Sequence, residues 1–179
     1  TITNNKTGLS FSAGYRYLNS HISNCNIFDN NIAIDANASC KNENGHSTVE
    51  IINSNIYDNN NGILLEASGT TGTGWVSSSS SSYVNLNILN SHVYRNTNFG
   101  IQAYASGFEN DVSRYAHVNI DIQNSIINDN LVGIDFNQRE ENSYAILNIN
   151  NSNVINNLSS GINNERGSIY SYNSVYWDN

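Results

Sequence analysis

The sequence predicts an all-β fold, a parallel solenoid of about six coils with three short strands in each coil. One block of seven residues recurs along the chain and begins with Asn-Ser at most of its occurrences. The segments before these blocks alternate apolar and polar residues, the pattern of a strand with one buried face. No stretch has the spacing of an amphipathic helix. These three observations predict stacked β-coils.

The recurring unit contains two fixed segments and one variable segment. The first fixed segment occurs at 24–30, 53–59, 90–96, 124–130, 151–157 and 173–179. The second follows three or four residues later as a small residue and an aliphatic one, at Gly8-Leu9, Ala33-Ile34, Gly62-Ile63, Gly100-Ile101, Gly133-Ile134 and Gly161-Ile162. Equivalent apolar residues are Ile2, Ile27, Ile56, Val93, Ile127, Val154 and Tyr176, separated by 25, 29, 37, 34, 27 and 22 residues. Each repeat therefore has the length of one turn of a β-solenoid.

Stacked coils place equivalent residues in columns along the solenoid axis. Strands that stack about 4.8 Å apart bring apolar residues of successive coils into contact. The alternating segments that supply them are Val49-Glu50-Ile51, Leu86-Asn87-Ile88, Ile120-Asp121-Ile122 and Leu147-Asn148-Ile149. The chain contains no Pro, as expected where nearly every strand has neighbours on both sides.

Asn dominates two predicted corners of the coil. The two columns are Asn24, Asn53, Asn90, Asn124, Asn151 and Asn173, and Asn30, Asn59, Asn96, Asn130, Asn157 and Asn179. Asn tolerates the left-handed backbone of a sharp corner, and stacked amides can each donate to one neighbour and accept from the other. We therefore predict Asn ladders at both corners.

The segment Asp58-Asn59-Asn60-Asn61-Gly62-Ile63 resembles the repeat of the pectate-lyase-like superfamily of right-handed parallel β-helices. The resemblance extends over nearly the whole chain and implies one right-handed β-helix domain spanning 1–179. It does not select a function, because this fold supports lyases, hydrolases, epimerases, adhesins, tailspikes and assembly proteins.

Charge and hydropathy argue against two classes of partner. The formal net charge is −8, which disfavours nucleic acid and anionic lipid. No apolar run approaches the length of a membrane span.

The chain starts at Thr1 and contains no Met, so we interpret it as a processed mature protein or as part of a longer one. The sequence predicts a secreted, extracellular location.

Cysteines and glycosylation sequons supply further candidate sites. Cys25 and Cys40 could form one disulfide or remain two buried thiols. Four Asn-X-Ser/Thr sequons mark candidate N-glycosylation sites at Asn5, Asn37, Asn150 and Asn157. In a chain so rich in Asn and Ser, that number is no more than chance supplies.

Insertions fall at one place in the coil and predict loops at 67–83, 105–115 and 138–144 on one side. Aromatic side chains in these loops suggest a carbohydrate-binding surface, because aromatic faces stack on sugar rings. The candidates are Trp75, Tyr83, Phe108, Tyr115 and Tyr144. The alternative is a solvated loop edge where the tyrosines pack on one another.

The sequence does not predict a catalytic centre, a metal site or a cofactor. The resemblance implies that lyases of this fold gather acidic side chains around calcium, against a basic residue. Asp35 and Asp135 share a predicted column here, but Leu64 and Gln102 lie between them. A second outward column, of Asp29, Asp58, Arg95, Asp129, Asn156 and Asp178, is interrupted by an arginine. We therefore favour a non-enzymatic role.

Both ends of the chain fall inside a repeat and carry no predicted capping helix. An uncapped coil exposes strand edges that can pair with other β-structure. We therefore predict a structural or adhesive component of an extracellular surface, joined through its end strands to copies of itself or to flanking β-helix segments. The alternatives are a polysaccharide-binding or polysaccharide-degrading domain and a phage tailspike or fibre segment, and extracellular glycans are further candidate partners.

Overall fold

The structure is a computed structural model that describes residues 1–14, 17–40, 44–69, 80–107, 114–139 and 142–176. The side chains of Cys40 and Arg114 lie outside this description. The described residues form strands and contain no helix. In chain order the strands are β1 (Ile2–Thr3), β2 (Thr7–Ala13), β3 (Tyr17–Ser23), β4 (Asn26–Phe28), β5 (Ile32–Cys40), β6 (Gly45–Ile52), β7 (Asn55–Tyr57), β8 (Asn61–Gly69), β9 (Ser80–Leu89), β10 (His92–Tyr94), β11 (Phe99–Ser106), β12 (Arg114–Gln123), β13 (Ile126–Asn128), β14 (Val132–Gln138), β15 (Ser143–Asn150), β16 (Asn153–Ile155), β17 (Ser160–Asn164), β18 (Ser168–Tyr172) and β19 (Val175–Tyr176).

Three parallel sheets run along the solenoid. Sheet A contains β1, β4, β7, β10, β13, β16 and β19, sheet B contains β2, β5, β8, β11, β14 and β17, and sheet C contains β3, β6, β9, β12, β15 and β18. Each strand pairs with the equivalent strand of the next coil, three strands per coil. The predicted column from Ile2 to Tyr176 is confirmed residue by residue in the register of sheet A. The fold is therefore a parallel β-helix.

The core is built from the inward-facing side chains, which alternate with outward-facing ones along each strand. In β6 buried and partly buried residues alternate over all eight positions, as expected when successive side chains point to opposite faces. Inward columns of Ile, Val and Leu meet at the centre, where Ile51, Leu86 and Ile120 have no solvent exposure. Burial of such side chains contributes about 25 cal/mol for each Å² removed from water.

Sheets B and C converge toward the side where the sequence predicts loops. Their inward residues there are small, such as Ala38 and Ala67 on sheet B and Ser82 on sheet C. A Cβ added at Gly45 would lie 2.5 Å from the Ser39 carbonyl oxygen. The predicted loops at 67–83, 105–115 and 138–144 are too wide, because strands extend into all three ranges. The inward residues of those strand ends are alanine and serine, which give a weaker hydrophobic signal than Ile, Val and Leu. β8 runs to Gly69, and β9, β12 and β15 begin before the predicted loops end.

At the corner between sheets A and B, the residue with the left-handed backbone is not the predicted Asn. The left-handed residue is the one before the Asn column, at Asp29, Asp58, Arg95, Asp129 and Asn156, with φ between 52° and 56°. The column of Asn30, Asn59, Asn96, Asn130 and Asn157 is instead buried. Its amides form the predicted ladder, with Nδ2 to Oδ1 distances of 2.9 to 3.1 Å between neighbouring coils.

At the corner between sheets C and A, the left-handed backbone and the hydrogen-bonded ladder also belong to different residues. The Asn column there does adopt the left-handed backbone, with φ between 48° and 53° at Asn24, Asn53, Asn90, Asn124, Asn151 and Asn173. The ladder belongs to the following serine. Each serine N–H donates to the hydroxyl of the next coil, as from Ser54 to Ser91 at 3.1 Å. The amide ladder predicted at this corner is therefore largely replaced by a serine ladder.

Candidate functional sites on the lateral faces

An aromatic column runs along the outer face of sheet C. The register places Tyr17, His46, Tyr83, His117 and Tyr144 in line on five successive strands. Their ring centroids are 4.2, 4.4, 4.5 and 4.9 Å apart, and their planes lie within 14° of parallel. Tyr and His alternate along the column.

This column bears on the predicted carbohydrate surface. Tyr83 and Tyr144 belong to it, and the ring of Tyr115 lies 6.3 Å from those of His117 and Tyr144. Stacking covers both faces of Tyr83, so only its edge is open to a ligand. Tyr144, at 46% exposure, keeps more of its surface open. Trp75 and Phe108 lie outside the described residues.

Both histidines of the column are held toward their neutral form. Burial lowers the pKa of His46 and of His117 below the ordinary value of 6.5, because a charged imidazolium loses hydration between two phenol rings. His46 Nε2 is buried and has no hydrogen-bond partner among the described residues. The column therefore packs best with neutral rings.

A polar cluster on the outer face of sheet B surrounds Asp135. This carboxylate is only 5% exposed. Its Oδ1 accepts hydrogen bonds from Asn163 Nδ2 at 2.7 Å and Asn137 Nδ2 at 3.1 Å. Its Oδ2 accepts from Gln102 Nε2 at 3.2 Å and from the Tyr104 hydroxyl at 3.4 Å. Four donors occupy both oxygens, so the carboxylate is committed to structure.

Arg139 extends this cluster toward solvent. Its guanidinium carbon lies 3.7 Å from the centroid of the Tyr104 ring, a cation–π contact. The pKa of Tyr104 is raised, first by burial and then by the negative charge of Asp135, while Arg139 opposes this shift. Tyr104 thus stays a hydrogen-bond donor at neutral pH.

The register also confirms the predicted column that contains both aspartates. Asp35 pairs with Leu64, Leu64 with Gln102, and Gln102 with Asp135. Burial raises the pKa of Asp35, and its hydrogen bond with Asn37 offsets part of that rise. Two coils separate the carboxylates, so they cannot act as a pair on one bond.

The outward residues of sheet A form a shorter stack. Phe28, Tyr57 and Tyr94 have successive ring centroids 5.0 Å apart. Arg95 lies over Tyr94 and binds both carboxylate oxygens of Asp58, at 2.7 and 2.8 Å. The described residues contain no group of three or more His, Cys, Asp or Glu placed to hold a metal ion.

Cys25 occupies the first position of the serine ladder. Its N–H donates to Ser54 Oγ at 3.1 Å, and its thiol contacts the Ser23 carbonyl oxygen at 3.3 Å. The equivalent serines make the same two contacts. Cys25 forms no disulfide with any side chain that the structure describes. The side chain of Cys40 lies outside the described residues, so the candidate disulfide stays a prediction.

The four sequons differ in accessibility. Asn157 has no solvent exposure, and its Nδ2 donates to the Ile127 carbonyl oxygen. A glycan at Asn157 is incompatible with this fold, so that prediction is wrong for the folded chain. Asn5 is exposed, and Asn37 and Asn150 are partly exposed, so they remain predicted sites.

Comparison with known proteins adds no relative: no family model, no curated protein and no solved structure matches this chain. Nothing in the described part of the chain forms a helix with the length and apolar character that crossing a bilayer requires.

Proposed function

We propose that this chain is a rod-forming segment of an extracellular structural or adhesive solenoid, related to the pectate-lyase-like β-helices, in which further strands continue its three sheets. The observation that carries the proposal is that equivalent strands of successive coils pair in register along all three sheets. Within the described residues, the core columns continue from coil to coil, the Asn ladder runs from Asn30 to Asn157, and the serine ladder runs from Ser54 to Ser174. Such ladders favour a stiff rod whose faces present side chains at fixed intervals.

The edges of the sheets support strand addition. Among the described strands, β1, β2 and β3 pair on one side only, as do β17, β18 and β19. Beside the first three strands, Ile2, Leu9, Phe11 and Ile22 line a cavity of about 510 Å³. Unpaired N–H and carbonyl groups beside apolar side chains are a template for another strand. The added strands belong to copies of the chain or to flanking segments.

Mass measurement of the isolated chain over a range of concentrations tests this proposal. We expect oligomers that grow in steps of one 19.7 kDa chain. Leu9→Glu should suppress them, because strand addition would bury the new carboxylate. Leu131→Glu is the matched control, since Leu131 is 40% exposed at a corner in the middle of the solenoid. A chain that remains monomeric at every concentration contradicts the proposal.

Polysaccharide binding at the loop side is a second candidate function. It is favoured by the gathering of Tyr115, His117 and Tyr144 at the start of the sheet C strands. Tyr144→Ala should weaken binding of a glycan that stacks there, measured on a glycan array with folding checked by circular dichroism. Identical array profiles for both proteins would remove this candidate.

A further inference from the structure

A polar groove follows the corner between sheets C and A, at the opposite end of the sheet C strands from the predicted loops. Three successive coils contribute the same three positions to this groove: an exposed Asn, an inward serine and an outward residue. Asn53, Asn90 and Asn124 form one wall of the groove, Asn55, His92 and Ile126 form the other, and buried serines form the floor. The groove encloses about 430 Å³.

The amides of the first wall are free for a ligand. Asn53, Asn90 and Asn124 are exposed, and their side chains make no hydrogen bond with another described residue. The buried Asn59 differs, because its Nδ2 donates to Asn96 Oδ1 and to two carbonyl oxygens. The left-handed backbone explains why Asn fits these positions. It also turns an unused donor and an unused acceptor outward on each of these three coils.

We propose that this groove binds an uncharged polysaccharide laid parallel to the solenoid axis. The lining contains no Asp, Glu, Lys or Arg, so it offers no ionic attraction to a charged glycan. Each amide can donate to one sugar hydroxyl and accept from another. Ile126, at 40% exposure, supplies an apolar contact for the face of a sugar ring. This inference does not depend on strand addition at the solenoid ends.

The spacing of the amides favours a sugar chain over a peptide. Coils repeat at about 4.8 Å, whereas an extended peptide advances about 3.3 Å per residue. Successive residues of a peptide laid along the axis would therefore not meet successive amides, because one residue advances less than one coil. A pyranose unit has nearly the length of one coil spacing, so successive sugars can meet successive amides.

Glycine substitutions provide a test that preserves the backbone. Glycine adopts positive φ without strain, so Asn53→Gly, Asn90→Gly and Asn124→Gly remove the amides and keep the corner. The matched control is Asn156→Gly, because Asn156 is also exposed and has φ of 56° but lies at the other corner. Binding of neutral β-glucan, xylan and mannan hexasaccharides is measured by calorimetry, with polygalacturonate oligomers as the charged comparison.

We expect one of the neutral hexasaccharides to bind in preference to polygalacturonate. Each glycine substitution in the groove should weaken that binding about three- to tenfold, as expected for one hydrogen bond, and Asn156→Gly should not change it. The proposal is overturned if no neutral hexasaccharide binds or if the charged oligomers bind better. Equal binding by Asn90→Gly and Asn156→Gly also overturns it, because the groove amides would then contribute nothing to ligand binding.

Discussion

Asn59 donates two hydrogen bonds to one atom, Asn96 Oδ1, from its backbone N–H at 3.1 Å and from its Nδ2 at 3.0 Å. Asn96 repeats this arrangement toward Asn130, at 3.0 and 2.9 Å. Each Asn of the ladder therefore satisfies a buried backbone donor of the neighbouring coil as well as its amide. Removal of one Asn leaves partners unsatisfied in both directions.

Asn96→Ala should lower the free energy of unfolding by about 3 kcal/mol, because buried groups on Asn59 and Asn130 lose their partner. Chemical denaturation followed by circular dichroism measures the change. Asn60→Ala is the control, since Asn60 belongs to an exposed amide row and should cost less than about 1 kcal/mol. Equal losses in the free energy of unfolding for the two variants would show that the buried ladder contributes no more to stability than the exposed amide row.

Cys25→Ser should leave stability within about 0.5 kcal/mol of the parent chain, because serine makes the same two contacts in the other coils. Ser91→Ala should cost about 1 to 3 kcal/mol, because the buried N–H of Ser54 loses its acceptor. Thermal denaturation under reducing and non-reducing conditions compares the variants. A large loss for Cys25→Ser that appears only without reductant would instead establish a disulfide.

The sheet C column should make stability depend on pH below about 6.5. The folded pKa of His46 and of His117 lies below the unfolded value of 6.5, so the unfolded chain binds protons first as pH falls. Their stabilisation is complete above that value and is lost as pH falls through the folded pKa. His46→Phe/His117→Phe keeps the stack without titration. Urea unfolding between pH 7.5 and about 5 should show a smaller loss in the double variant, and parallel losses would contradict this assignment.

Asp135→Ala should destabilise the chain by about 1 to 3 kcal/mol, because it removes the charged acceptor of the hydrogen bonds from Gln102, Asn137 and Asn163. Asp29→Asn is a suitable control, since Asp29 is exposed and Asn accepts its left-handed backbone. Urea unfolding at pH 7 measures both. Unchanged stability in Asp135→Ala would mean that water replaces the carboxylate.

The fold could be predicted from the sequence because the core columns recur through the inner coils, and the serines that replace apolar residues, Ser20 and Ser171, lie in the first and last strands of sheet C. The strand from Val49 to Ile51 and its equivalents carry the period of two, and the block spacing sets the register. The corners were harder, because Asp29 and Asn30 both suit a turn and only the backbone distinguishes the left-handed residue from the ladder residue.

The aromatic column was missed, although the sequence contains its signal. Tyr17, His46, Tyr83, His117 and Tyr144 each lie five residues before the last core isoleucine of their strand: Ile22, Ile51, Ile88, Ile122 and Ile149. Aligning the coils on that isoleucine reveals the alternation. The Asp135 cluster could not be found in this way, because its donors come from three coils and depend on side-chain rotamers.

Electron microscopy with fibre diffraction of the concentrated chain tests the central claim, strand addition at the sheet edges, most directly. The account predicts unbranched rods with a reflection at about 4.8 Å along the rod axis, since added coils would continue the same sheets. Discrete particles of single-chain size at every concentration would contradict it. So would fibrils in which the 4.8 Å spacing lies across the axis.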